Sequence, residues 1–193
     1  TLNVKTVNIF LLSSIISFTA TNFLTSCSSK KRFENAIVYG KAKDAVTLDP
    51  GDETDGESAT VSQNIFETLV KYKDESTEVE AGLAESWKVS SDGLTWNFII
   101  RKNIKFHDDT LLDAEAVKFN YDRQMDHDNQ YRFSGKFEYW NLFFSNVQKI
   151  TVKDPYSIEF KLKDKDPTFL PNLALFTMGI SSPTGIKKFG KDV

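Results

Sequence analysis

Between residues 83 and 101 apolar and polar side chains alternate with the period of a β-strand. Leu94, Trp96, Phe98 and Ile100 take one phase, while Thr95, Asn97 and Arg101 take the other. Trp87 and Val89 alternate in the same way before Asp92-Gly93, a dipeptide that favours a tight turn because glycine accepts positive φ without steric cost. This stretch predicts a β-hairpin with a tryptophan-rich inner face. A second hairpin is predicted from Gln148 to Leu162 around Asp154-Pro155, with Ile158, Phe160 and Leu162 facing one way and Glu159 and Lys161 the other.

Elsewhere the period changes. Asp113 is suited to cap a helix that begins at Ala114, with Val117, Tyr121 and Met125 on one face. Ser58 is a second expected N-cap, followed by Val61, Ile65 and Leu69 at i, i+4 and i+8. The apolar run Phe169–Met178, with Pro171 in its first turn, predicts a short buried helix, and Ile186–Gly190 another. Ala36–Gly40 is a short strand candidate. It leads into Thr47-Leu48-Asp49-Pro50, where the residue before proline is biased to extended geometry. Asp126–Gly135 reads as a loop, and Phe137, Tyr139, Trp140, Phe143 and Phe144 as a core cluster. There is no internal repeat.

The chain of 193 residues suits one ordinary domain, and 40% hydrophobic with 13% aromatic content is enough to bury a core. The net charge is −3, and removing the single positive charge of Lys5 with a leader takes it to −4. No basic excess exists to draw a phosphate backbone, so nucleic acid is not an expected partner.

Residues 1–26 have the pattern of an export leader. Lys5 is their only charge, and the apolar run Val7–Phe18 is too short for a membrane span. Leu24-Thr25-Ser26-Cys27 then resembles a bacterial lipobox, which makes Cys27 the expected acylated residue; the alternative is a chance free thiol after an ordinary signal. As the only cysteine, Cys27 has no intramolecular disulfide partner. Residues 27–35, with Lys30, Lys31 and Arg32, read as a polar tether after the lipid.

Motifs for catalysis are weak. Gly185–Asp192 nearly matches a phosphate-binding loop, but Asp192 stands where a hydroxyl should meet Mg²⁺. His107 and His127 lack zinc spacing, and His107 reads as a hydrogen-bonded structural residue. No Gly-x-Ser-x-Gly elbow occurs. Five acids lie between Asp49 and Glu57. An EF-hand register centred on Asp55-Gly56 puts Gly51 and Ser62 where acids are required, so that reading fails. What remains is a solvated acidic loop, or a loop that lines a cleft and favours cationic ligands. No metal, no cofactor and no enzyme activity are expected.

The order of signals carries more information than any one of them. Ala84-Glu85-Ser86-Trp87, the Asp92-Gly93 turn, an aromatic strand ending in Arg101-Lys102, Lys105-Phe106-His107-Asp108 and a helix opening at Asp113 together resemble the family 5 extracellular solute-binding proteins. The resemblance is detailed over residues 81–123 and looser, but in register, from about residue 36 to 193. It implies an α/β fold, an α+β-like lobe from the N-terminal part of a periplasmic-binding-protein type II clamshell, with a mixed sheet, hairpins and flanking helices. Residues 36–193 would form that part, with the remainder of the clamshell absent.

The resemblance further implies the substrate-binding subunit of an ABC importer, capturing short peptides in an interlobe cleft for a membrane permease. Alternatives are a nickel or metal-chelate binder of the same fold and an adhesion-type surface lipoprotein. The implied location is the cell envelope, lipid-anchored and facing the periplasm or the exterior. Thr54, Asp55, Gly56 and Glu57, in the family's ligand-facing loop, and Tyr131, which stands where the peptide binders place a ligand-contacting tyrosine, are the implied ligand residues. Gln130 precedes Tyr131 where proline is usual in the family.

Overall fold

A computed structural model describes residues 39–133 and 135–190. The leader, Cys27, the tether and most of the Ala36–Gly40 strand candidate lie outside the described residues. The described residues from Lys41 onward form one unit.

The centre of the unit is a four-stranded antiparallel sheet built from the two predicted hairpins. It contains β3 (Ala84–Val89), β4 (Thr95–Ile100), β5 (Val147–Asp154) and β6 (Ser157–Leu162), in the order β3-β4-β6-β5. A small antiparallel pair, β1 (Val70–Tyr72) and β2 (Val79–Ala81), precedes it. The expected α/β lobe with hairpins and flanking helices is present, and every described ladder in it is antiparallel.

The first hairpin follows from its turn. Gly93 has φ +73°, and its N–H donates to the carbonyl of Ser90 at 2.9 Å. Asp92 accepts from the Leu94 N–H at 2.9 Å and from the Ser90 hydroxyl, which hold its carboxyl below the usual range. Register pairs Trp87 with Phe98 and Val89 with Trp96, so both tryptophans lie on one face and both pack against the core. Val89 sits beside the turn and is exposed.

The helices cover that face. α1 is Gly56–Ser62, α2 Ala114–Met125, α3 Glu138–Phe143, α4 Phe169–Asn172 and α5 Pro183–Phe189. Asp113 caps α2 by accepting from the Ala116 N–H at 2.8 Å, as its side chain predicts. Tyr121 of α2 stacks on Trp140 of α3 and meets Phe160 of β6, while Phe160 also meets Phe98 and Phe169. Of the five aromatics predicted as a cluster, Phe137, Trp140 and Phe144 are buried in this core and Phe143 packs against it, while Tyr139 is half-buried and meets Phe143 and Phe176.

Two helix expectations are corrected. α1 starts at Asp55 and not at Ser58, because Asp55 accepts from the N–H groups of Glu57 and Ser58 while Ser58 sits inside the first turn. It also stops at Ser62, so Val61, Ile65 and Leu69 do not form one stripe. The chain turns there to reach β1, where Leu69 and Val70 are buried but Ile65 is exposed. The Phe169–Met178 run forms α4 and a 3₁₀ turn, Phe176–Met178, instead of one helix. Pro171 sits in the first turn of α4, where a missing N–H is harmless; after Leu173 the bonding tightens to i→i−3, from Ala174 to Pro171 and from Leu175 to Asn172, and the helix ends.

Phe160 meets Phe98 within the sheet and joins the sheet to Tyr121 and Phe169 on two helices. Phe160→Ala is expected to lower unfolding free energy by about 3–5 kcal/mol. Urea denaturation followed by tryptophan fluorescence measures this, and a loss under about 1 kcal/mol would place the core elsewhere.

Candidate functional site

The five acids between Asp49 and Glu57 do not form a solvated loop. Each has a distinct partner. Asp49 pairs with Arg123 of α2 through both carboxylate oxygens. Asp52 accepts from the backbone N–H of Lys136 at 2.7 Å and of Phe137 at 3.3 Å. Glu53 is fully buried and accepts from the Ser62 hydroxyl. Asp55 caps α1, and the N–H and hydroxyl of Ser58 hold its carboxyl below the usual range. Glu57 takes the Lys41 ammonium on its carbonyl at 2.7 Å and on its carboxylate at 3.7 Å. Ser58 also receives the N–H groups of Val46 and Thr47, tying the incoming chain to α1.

Arg123 is the organising residue of this region. It is 2% exposed and is the largest fully buried side chain among the described residues. Its Nε donates to the carbonyl of Tyr131 at 2.8 Å while its other nitrogens hold Asp49. The two loops expected to carry ligand residues therefore share one buried cation. Arg132 donates to the carbonyls of Arg123, Gln124 and Lys136, closing the second loop on the end of α2.

Phe137 completes the joint. Both guanidinium groups lie over its ring, Arg132 at 4.6 Å and Arg123 at 5.4 Å from the centroid. Gly51 and Gly135 press on the ring edges: a Cβ on either would sit 2.9 or 2.7 Å from a Phe137 carbon. Phe137 itself takes a left-handed backbone, φ +50° and ψ +50°, which costs a non-glycine residue energy and persists because its surroundings over-determine it.

Of the implied ligand residues, Thr54 and Gly56 are exposed, and Asp55 and Glu57 are half-buried. Tyr131 lies in a 3₁₀ turn, Gln130–Arg132, and is half-buried. Its ring packs on Phe119 at 5.2 Å, and the Lys187 ammonium sits 5.1 Å from Phe119 and 5.9 Å from Tyr131. Tyr131 lines a shallow basin with Asp122, Asp128 and Lys187, and none of Thr54–Glu57 lines that basin.

The largest cavity described is elsewhere. A mostly apolar cleft of about 590 Å³ lies among Leu48, Ile65, Phe66, Phe106, Ile180 and Phe189. His107 is on its wall, exposed and without a side-chain hydrogen bond among the described residues, which corrects the expected structural role. Asp108 at the rim accepts from the hydroxyls of Ser182 and Thr110, which hold its carboxyl below the usual range. The phosphate-loop look-alike is also settled, since Gly185–Phe189 lies inside α5 and offers no phosphate-cradling turn. No group of three or more metal-ligating side chains occurs among the described residues.

Comparison with known proteins gives this geometry its context. Residues 78–192 match the family described as bacterial extracellular solute-binding proteins, family 5. The chain belongs to that family. It is 34% identical over 177 residues to the probable D,D-dipeptide-binding periplasmic protein DdpA of Escherichia coli, covering 90% of this chain and 32% of that protein. It is 34% identical over 157 residues to the glutathione-binding protein GsiB of Salmonella paratyphi A, covering 81% and 29%. Among solved structures, the periplasmic binding protein DppA from Helicobacter pylori, in complex with the peptide STSA, superposes with a TM-score of 0.69. The identity is 33%, and the match covers 75% of this chain and 30% of that one. The chain thus spans about a third of the length of these family 5 relatives. The family is one of solute-binding proteins and not of enzymes.

Sequence reasoning missed Arg123 because it reads as a cation near a helix C-terminus, where it would favour the helix dipole from the surface. Its partner is 74 positions away, and nothing local announces it. Removing Asp49 would strand a buried charge. Asp49→Ala is expected to cost about 3–5 kcal/mol, and Asp49→Leu with Arg123→Met distinctly less. Equilibrium denaturation of the two variants tests this; equal losses would show that the pair is not the constraint.

Proposed function

We propose that this chain forms part of the substrate-binding subunit of an ABC importer, one that captures short peptides between lobes and presents them to a permease. The observation that supports this best is the Arg123 joint. It ties Asp49, on the segment that leads to Thr54–Glu57, and the Tyr131 turn to one rigid helix, as two ligand-facing loops on a binding lobe would require. Relatives that bind a D,D-dipeptide, glutathione or the peptide STSA favour a small peptide-like ligand over nickel or a metal chelate.

Exposed Thr54 and Gly56 could meet an extended ligand through their backbone, with Glu57 and Asp55 biasing that edge towards an amine. Tyr131 would add an aromatic wall, steadied by Phe119. The apolar cleft bearing Ile65 and Phe189 is where this portion would meet the polypeptide that its relatives carry in addition. Cys27 would carry the lipid that holds the protein at the cell envelope.

The grip on a peptide needs both sides of a cleft, so the 193-residue chain alone is expected to bind peptides poorly. Isothermal titration against a mixed di- to pentapeptide pool should show no micromolar affinity, and a micromolar value would contradict the two-sided grip. On a polypeptide of the relatives' full length, the same pool should raise the melting temperature by mass action. An adhesion-type role predicts no such rise. Cys27→Ser should abolish labelling by radioactive palmitate in a bacterial host, while persistent labelling would remove Cys27 as the acylation site.

A further inference from the structure

Glu53 is the one acid of its segment without a cation or a helix end to balance it. Its side chain is fully buried, with Oε1 on the Ser62 hydroxyl and Oε2 without a partner among the described residues. The ionised groups that act on it are Asp49 and Asp55, both of its own sign. Arg123, the nearest candidate cation by connectivity, is occupied by Asp49 and the Tyr131 carbonyl. The 3₁₀ turn Phe176–Met178 packs on the turn Pro50–Asp52 that leads into Glu53, and it contains no ionisable residue. The only acid of α1 is Glu57, directed to Lys41, and the acid of α3, Glu138, is exposed.

We propose that Glu53 is a proton-controlled latch, which as a neutral acid stays packed beneath residues 49–62 and on ionising loosens that segment together with the exposed edge Thr54–Glu57. Burial dominates the balance and pushes the carboxyl up to about 7 from an ordinary 4.5, against a smaller opposing contribution from Ser62. The sign follows. Stabilisation from the neutral form is complete below about pH 4.5 and is lost as pH rises through about 7. The segment is thus firm in mildly acidic surroundings and looser above neutrality. Any effect on ligand capture rests on the reading of Thr54–Glu57 as ligand-facing; the latch itself does not.

Hydrogen exchange on the unliganded chain separates the two. After correction for intrinsic exchange, protection of residues 54–62 relative to the β5–β6 hairpin should fall about tenfold or more between about pH 5.5 and about pH 8. Glu53→Gln, neutral at every pH, should abolish that fall. An unchanged ratio in the native chain, or the same fall in the variant, overturns the latch. Should the variant not fold, carbon-13 NMR of the native glutamate carboxyls decides: one resonance should titrate near 7, and titration of all of them below about pH 5.5 overturns it. A failed peptide titration leaves each of these readouts unaffected.

Discussion

A guanidinium buried in a protein must be paired, and that requirement at Arg123 sets the geometry of everything around the candidate ligand surface. Desolvating such a charge costs several kcal/mol unless a carboxylate and further hydrogen bonds surround it. Asp49 and the Tyr131 carbonyl are those partners, and they lie in separate stretches of chain. The helix that carries Arg123 is itself fixed to the sheet by Tyr121 against Phe160. A line of contacts therefore runs from the antiparallel sheet, through α2, to both loops. The hairpins perform no chemistry in this arrangement; they hold α2 where its arginine can do its work.

The same joint explains how unfavourable backbone is tolerated. Phe133 and Phe137 both have φ near +50°, where non-glycine residues are uncommon. Each such residue costs on the order of 1–3 kcal/mol. The return is position: Phe137 reaches between Gly51 and Gly135 and beneath two guanidinium groups, so the first loop's turn is clamped to the second loop's end. A larger residue at position 51 would collide with the ring. Glycine is needed there for close approach, and not for any unusual φ.

Local pattern carried most of the fold. The alternation around Phe98 and Phe160 sees only neighbours in sequence, and an antiparallel hairpin is a neighbour-to-neighbour structure, so both hairpins and their inward faces were legible. Asp113 was legible for the same reason, since a cap acts over three residues. Ser58 was misread because Asp55, three residues earlier, caps the helix nearly one turn sooner, which leaves Ser58 inside the first turn with its N–H and hydroxyl donated to Asp55. The acidic segment was the least legible part. Composition counts five like charges and suggests hydration, but Asp49 is paired with a cation 74 positions away and Asp52 accepts a backbone N–H 84 positions away. Burial of Glu53 depends on that long-range closure and has no local signature. The leader and the lipobox rest on sequence alone.

Family membership and this geometry constrain the ligand unequally. Relatives at similar identity are named for a D,D-dipeptide and for glutathione, and a structural neighbour was solved with a tetrapeptide, so the match over this lobe does not by itself single out one ligand. In this chain the sheet, α2 and the Arg123 joint form the buried part. The joint presents at the surface Thr54 and Gly56, and the turn in which Gln130 precedes Tyr131. A glutamine there keeps a backbone N–H that proline would lack, and it leaves the preceding residue freer. Asn129 instead shapes the turn, accepting from the Tyr131 N–H at 2.9 Å. The tyrosine is thus placed by an asparagine side chain and an arginine, both acting on its backbone, so the turn is held independently of the residue at position 130.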